Sequence, residues 1–227
     1  MDKHPPQRIG QVLETKSPLS ELPLKSESEV IKYDRQVLRS DRKIRVEQLR
    51  RLISTVVPNL FLKAHVRDFS KQFQSLLFDR EPDQGIVFWG SPGVGKSHCM
   101  AALARKFILT HKTCKRITYE MLCLKIRDTY QSNSANTELS VIQPLIDCSY
   151  LFIEDVGTTR SIGKTESDFS LRAFLVLLDG RLEACRPTFI TTNKSVENLG
   201  DSFDERVASR LSSFKVIRMA GRDKRKC

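Results

Sequence analysis

The chain has 227 residues, 40% of them hydrophobic, and a formal charge of +11. That length accommodates one α/β core with an appendage and excludes two large domains. The excess of Lys and Arg points to an acidic partner such as nucleic acid, although a basic run is also how an ordinary solvated face reads.

The N-terminus, Met-Asp-Lys-His-Pro-Pro, lacks the apolar core of a signal peptide, and no apolar run is long enough to span a bilayer. A cytoplasmic protein without membrane contact is therefore expected. Residues 1–27 carry Pro5, Pro6, Pro18 and Pro23 among polar residues and read as a flexible arm. Residues 29–57 contain no Pro or Gly and read as helix, with a break expected at Ser40-Asp41-Arg42-Lys43. Val46, Leu49, Ile53 and Val56 fall at helical spacing and predict one apolar face. Arg35, Arg39, Arg42, Lys43, Arg45, Arg50 and Arg51 make this segment strongly basic. It reads equally as a solvated helix surface or as a contact for phosphate backbone or a partner protein. No interleaved aromatics support base stacking. Residues 1–58 accordingly read as a flexible arm plus a basic helical segment suited to partner binding, and residues 59–227 as the main domain. After Pro58, Leu62, Val66, Phe69, Phe73 and Leu76 recur at three- and four-residue steps and predict an amphipathic helix.

The apolar run Ile86–Trp89 reads as a buried strand. It empties into Gly90, Ser91, Pro92, Gly93, Val94, Gly95, Lys96 and Ser97, which match G-x-x-x-x-G-K-[ST]. Residues 97–109 then read as helix, so the strand, loop and helix that this motif requires are all present. Gly93 and Gly95 let successive backbone N–H groups turn inward around a phosphate. The positive end of the helix adds to that attraction. Lys96 would reach the β- and γ-phosphates, and the Ser97 hydroxyl would ligate magnesium. The loop is a nucleoside triphosphate site, with ATP and Mg2+ as its expected ligands.

A second strand is predicted at 116–119, helices at 121–130 and 138–147, and a third strand at 150–153 that ends in Glu154 and Asp155. An apolar strand ending in acids, downstream of a phosphate loop, suits a nucleotide hydrolase: one carboxylate serves the metal and the next polarises water. Residues 158–164 read as a loop, Thr165-Glu166-Ser167-Asp168 as a capping box, and residues 169–185 as a long helix with Phe169, Ala173, Val176, Leu177, Leu178 and Leu182 facing the core. The strand Thr188–Thr192 ends on Asn193, a polar tip able to orient the hydrolytic water. Ser202-Phe203-Asp204-Glu205 reads as a second capping box, opening a helix on which Arg206 and Arg210 lie one turn apart. A last strand at 215–219 precedes a basic tail. The six cysteines include no Cys-x-x-Cys pair, so neither a zinc site nor a disulfide framework is expected.

This ordered set resembles the DnaC/IstB group of AAA+ ATPases, which comprises helicase loaders and the ATPase helpers of certain transposons. The matching residues are 90–97 with His98 following, 151–157, 190–193, 204–211 and the Gly221-Arg222-Asp223-Lys224-Arg225 close. The resemblance implies an α/β P-loop AAA+ core with a parallel sheet of strand order 5-1-4-3-2 and no C-terminal lid. It implies self-association into an ATP-dependent oligomer, because Arg210 takes the arginine-finger position acting on a neighbour's nucleotide, accompanied by Arg206. It puts Asn193 in the sensor position. The group's usual acidic order is Asp first, whereas Glu154 precedes Asp155 here. The exchange moves each carboxylate by about 1 to 1.5 Å and predicts slow hydrolysis, with Glu154 on the metal side. The expected activity is an ATPase that loads a replicative helicase onto DNA, single-stranded in that setting. The alternatives are a transposase-associated helper and a non-hydrolysing, nucleotide-gated adaptor.

Overall fold

In the computed structural model, five short runs extend as strands: β1 (Ile86–Trp89), β2 (Cys114–Thr118), β3 (Tyr150–Glu154), β4 (Thr188–Thr192) and β5 (Lys215–Arg218). The structure describes residues 27–78, 82–131, 135–157, 168–202 and 204–225. The arm at 1–26, the loop at 158–164 and residues 165–167 of the first capping box lie outside the described residues.

All pairings are parallel, and the strands lie in the order β2-β3-β4-β1-β5. This is the 5-1-4-3-2 order that the family resemblance implies, read from the other edge. β3 and β4 are buried at every position, as strands covered by helices on both faces must be. Alternation along the strands sorts their side chains. Ile86, Phe88, Tyr150, Phe152 and Phe189 join one core, and Val87, Leu151, Ile153 and Ile190 the other.

The first core is closed by α3 (Lys96–Leu109), whose Ala101, Ala102 and Ala104 let the helix approach the sheet closely. Phe107 of α3 stacks on Tyr150 with ring centroids 4.0 Å apart. The second core lies under α4 (Tyr119–Asp128), α5 (Glu138–Asp147), α6 (Asp168–Glu183), α7 (Val196–Ser202) and α8 (Glu205–Leu211).

The chain divides into two units, residues 1–45 and 46–227. Of the first, residues 27–45 are described, all within the helix α1 (Glu27–Val56). Arg39, Arg42, Lys43 and Arg45 are exposed there. The break expected at residues 40–43 is absent: no Pro or Gly interrupts the backbone hydrogen bonds, and the helix continues. In the second unit, Ile53, Val56 and Val57 are buried with Leu77 and Phe78, whereas Val46 is exposed.

The segment from Asn59 to Leu77, within which an amphipathic helix is expected from Leu62 to Leu76, is instead three short pieces. Two 3₁₀ turns cover Asn59–Phe61 and Val66–Asp68, and α2 covers Lys71–Leu77. Side-chain capping restarts the chain twice. His65 Nδ1 accepts from Arg67 N while Asp68 accepts from His65 N, and Ser70 Oγ accepts from Phe73 N. Leu76 consequently turns outward and Leu77 inward. On α6, Ala173, Leu177 and Leu178 are buried as expected, but Val176 is 46% and Leu182 37% exposed. The second capping box is also displaced. Asp204 is the cap of α8, accepting from Arg206 N and Val207 N, while Ser202 ends α7.

The strand entrances are held by Arg181 of α6, which is 1% exposed. Its guanidinium donates to the carbonyls of Leu145, Cys148 and Pro187 and to Thr188 Oγ1, over 2.7 to 2.9 Å. These bonds tie the end of α5 to the starts of β3 and β4. Arg181→Met keeps the bulk and removes the charged donor that those carbonyls and Thr188 share, leaving the weaker bonds from Leu151 N to Pro187 O and from Cys148 Sγ to Leu145 O. It is expected to lower unfolding stability by about 3 kcal/mol, read from denaturant titration at constant slope.

Candidate nucleotide site

β1 delivers the chain to residues 90–95, where Gly93 (φ 80°) and Gly95 (φ 106°) take the left-handed backbone that the loop requires. At Gly93 the absence of a side chain is needed twice, because a Cβ there would overlap the Asp223 carboxylate. Ser91 and Pro92 are exposed and Val94 is buried. Lys96 opens α3 and is 6% exposed. Its ammonium donates to Gly90 O (2.7 Å), Ser91 O (3.0 Å) and Asn193 Oδ1 (2.8 Å). Burial pushes its pKa down, and the Asp155 charge opposes that shift.

Glu154 lies on the α3 face of β3, in register with Thr118 of β2, and is 3% exposed. Its two oxygens are engaged from opposite sides. Oε2 accepts from Ser97 Oγ at 3.0 Å, and Oε1 accepts from Arg116 Nε at 2.8 Å. Asp155 follows in a left-handed conformation (φ 60°), a strained geometry for a non-glycine residue. Bonds to β4 hold it there: Asp155 N donates to Thr191 Oγ1 and Val156 N to Thr191 O. The Asp155 carboxyl is held above the ordinary aspartate range, first by desolvation and then by the Glu154 charge. Lys96, Arg225 and Arg116 pull it the other way.

The structure thus brings Lys96, Ser97, Glu154, Asp155 and Asn193 to the carboxyl ends of β1, β3 and β4, beside the glycine loop. A hydroxyl and a carboxylate 3.0 Å apart form a hard-oxygen donor pair of the kind magnesium takes together with phosphate oxygens and water. Among the described residues, no group of three or more His, Cys, Asp or Glu could hold a metal by itself.

Three predicted residues sit elsewhere. His98 turns away from the loop: its Nε2 is 2.7 Å from Asp68 Oδ2, and its ring lies against Phe61 and Phe69. Arg210 is bound within its own chain, with Nη2 donating to Asp179 Oδ2 at 2.7 Å and Nε to the other oxygen. Arg206 pairs with Asp204.

The closing segment, a basic tail in sequence and the last of the motifs carrying the family resemblance, returns to the phosphate loop. Lys224 N donates to Gly93 O at 3.0 Å. Asp223 Oδ1 accepts from Arg225 N at 2.9 Å, an Asx turn that shapes the segment. The Lys224 ammonium is 3.7 Å from where a Gly95 Cβ would be. The Asp-x-Arg spacing signals such a turn; its docking place has no signal in the sequence. Arg116 and Asp179 were likewise missed.

No family model matches the chain. The replicative helicase loader DnaC of Escherichia coli (strain K12) is 30% identical over 126 residues, 56% of this chain and 49% of the relative. The chain thus spans about half the length of the curated relatives it matches. A crystal structure of DnaI aligns with a TM-score of 0.61 at 20% identity, over 77% of this chain and 99% of that one. The AMPPCP-bound DnaA of Aquifex aeolicus aligns at 0.59 and 13% identity, over 72% of this chain and 52% of that one. No described helix is long and apolar enough to cross a membrane. The structural likeness gives this chain the parallel α/β fold of those proteins, and the sequence likeness is to the replicative helicase loader DnaC over about half of that protein's length.

Proposed function

We propose that the chain is an ATP-binding and ATP-hydrolysing AAA+ protein that loads a replicative helicase onto DNA. The observation that carries the nucleotide part is the pair of bonds from the glycine loop to the strand tips, Lys96 to Asn193 and Ser97 to Glu154. The helicase part rests on the likeness to DnaC, which favours a replicative helicase over a transposase as partner.

In this reading, the loop amides and the start of α3 cradle the β- and γ-phosphates, and Lys96 turns its ammonium from Asn193 toward them. Ser97 and Glu154 would hold Mg2+, and the ion would supply charge neutralisation at the phosphates. Asp155 accepts a proton from the attacking water, and Asn193 orients that water. Arg210 completes the site of a neighbouring copy, exchanging Asp179 for the γ-phosphate as an ATP-dependent oligomer forms. The exposed Arg39, Arg42, Lys43 and Arg45 supply the charge for DNA, single-stranded at an opened origin, or for the acidic surface of a helicase. Residues 1–58 carry the helicase contact.

Lys96→Ala is expected to weaken triphosphate binding by roughly 100-fold or more in equilibrium titration. Unchanged affinity would sink the site assignment. Asp155→Asn should slow turnover while leaving ATP affinity within about twofold. Because the Asp155 pKa is raised, its basic form appears only at higher pH than an ordinary aspartate. The acid limb of the wild-type rate profile is therefore displaced upward, and it disappears in this variant. Arg210→Ala should bind ATP normally and hydrolyse slowly. Mixing it with the Lys96→Ala chain should recover turnover, because the latter supplies an intact arginine to the former's nucleotide. Failure of that mixture to recover any rate counts against action between subunits.

A further inference from the structure

Glu154, assigned to the metal in the reading above, is already paired with Arg116. Glu154 is 3% exposed, and its Oε1 receives a charge-assisted bond from Arg116 Nε at 2.8 Å. Arg116 reaches it diagonally across the parallel sheet, because Glu154 is in register with Thr118 and Arg116 lies two residues earlier on the same face of β2. The glutamate's extra methylene is relevant here, since it carries the carboxylate out to both Ser97 and Arg116. Among the described residues Arg116 is the cation in direct contact with Glu154, which stands beside Asp155. The Arg116 side chain is 26% exposed, so it can leave the carboxylate for solvent without unpacking the sheet.

We propose that Arg116 governs the divalent-cation requirement of the nucleotide site: its guanidinium occupies one Glu154 oxygen, and the metal must displace or share that contact. The inference rests on the triphosphate reading of the site and assigns Arg116 a positioning role toward the metal subsite. A guanidinium close to the carboxylate opposes an incoming dication through repulsion and through competition for lone pairs. It also keeps the paired acids from destabilising the empty site. Arg116 thus trades metal affinity for a stable nucleotide-free state.

The test measures binding rather than turnover. A fluorescent ATP analogue is titrated into the full chain at a series of Mg2+ concentrations, and the Mg2+ giving half of the metal-dependent gain in affinity is read. Arg116→Gln is expected to lower that concentration roughly three- to tenfold. Arg116→Lys, which keeps the charge, is expected to stay within about twofold of wild type. Thermal unfolding of each variant establishes that the fold is retained, and Arg116→Met, which keeps the side-chain length without the charge, is read in the same way with the same expected shift if Arg116→Gln is unfolded. In a Glu154→Gln background, Arg116→Gln should shift the Mg2+ midpoint no further.

An unchanged midpoint in Arg116→Gln overturns the proposal. So does an equal shift with Gln at position 154, which would make Arg116 a distant charge rather than a partner of that carboxylate. A midpoint moved in Arg116→Lys as far as in Arg116→Gln overturns it too. If the wild-type chain binds no nucleotide at any Mg2+ concentration, the triphosphate reading itself fails. Metal-dependent binding by wild type with indifferent variants removes only the role of Arg116.

Discussion

A buried ammonium joins the two halves of the nucleotide site. Lys96 donates to the carbonyls of Gly90 and Ser91 and to the side chain of Asn193, a residue 97 positions away in sequence. Leaving such a charge without acceptors would cost several kcal/mol, so the loop and the tip of β4 are held together wherever Lys96 is buried. The same contacts give the lysine a holding place until an anion offers a better one. In the reading proposed above, the site is preorganised around a cation that phosphate would engage.

That contact is available only because of strand order. β1 lies beside β4 in parallel register, Trp89 opposite Thr192, so the residues following each strand emerge side by side. β3 lies beside β4, and its Glu154 and Asp155 therefore emerge at the same edge. In an open parallel sheet with helices on both faces, the crevice at the carboxyl ends is where ligands bind. Alternation along β3 then assigns Glu154 to the face of α3, where Ser97 lies.

Charges in the site are balanced among several side chains. Glu154 is paired with Arg116, and Asp155 faces Lys96, Arg116 and, through the returning tail, Arg225. Arg210 is in turn occupied by Asp179. Each cation proposed to act on phosphate or metal thus already has an acidic or carbonyl partner in the single chain. A nucleotide or a neighbouring copy has to exchange these contacts rather than simply add to them, which fits a protein that switches between states.

Much of this was legible in the linear sequence. The glycine loop, its lysine and serine, the acids ending β3 and the asparagine after β4 were all identified from local signals: apolar runs of strand length, turn residues, and polar groups placed directly after them. α5 and β4 were bounded correctly because Thr137 and Pro187 mark their starts. The sequence went astray where apolar spacing alone suggested a helix, from Leu62 to Leu76, because His65, Asp68 and Ser70 satisfy backbone groups locally and restart the chain. Contacts between distant segments carry no such signature. The grip of Arg116 on Glu154, the pairing of Arg210 with Asp179 and the return of residues 223–225 to Gly93 depend on which strands become neighbours and where the chain re-enters. Residue types and spacing determined what chemistry this protein carries. Strand adjacency, which no local run encodes, decided which charges meet.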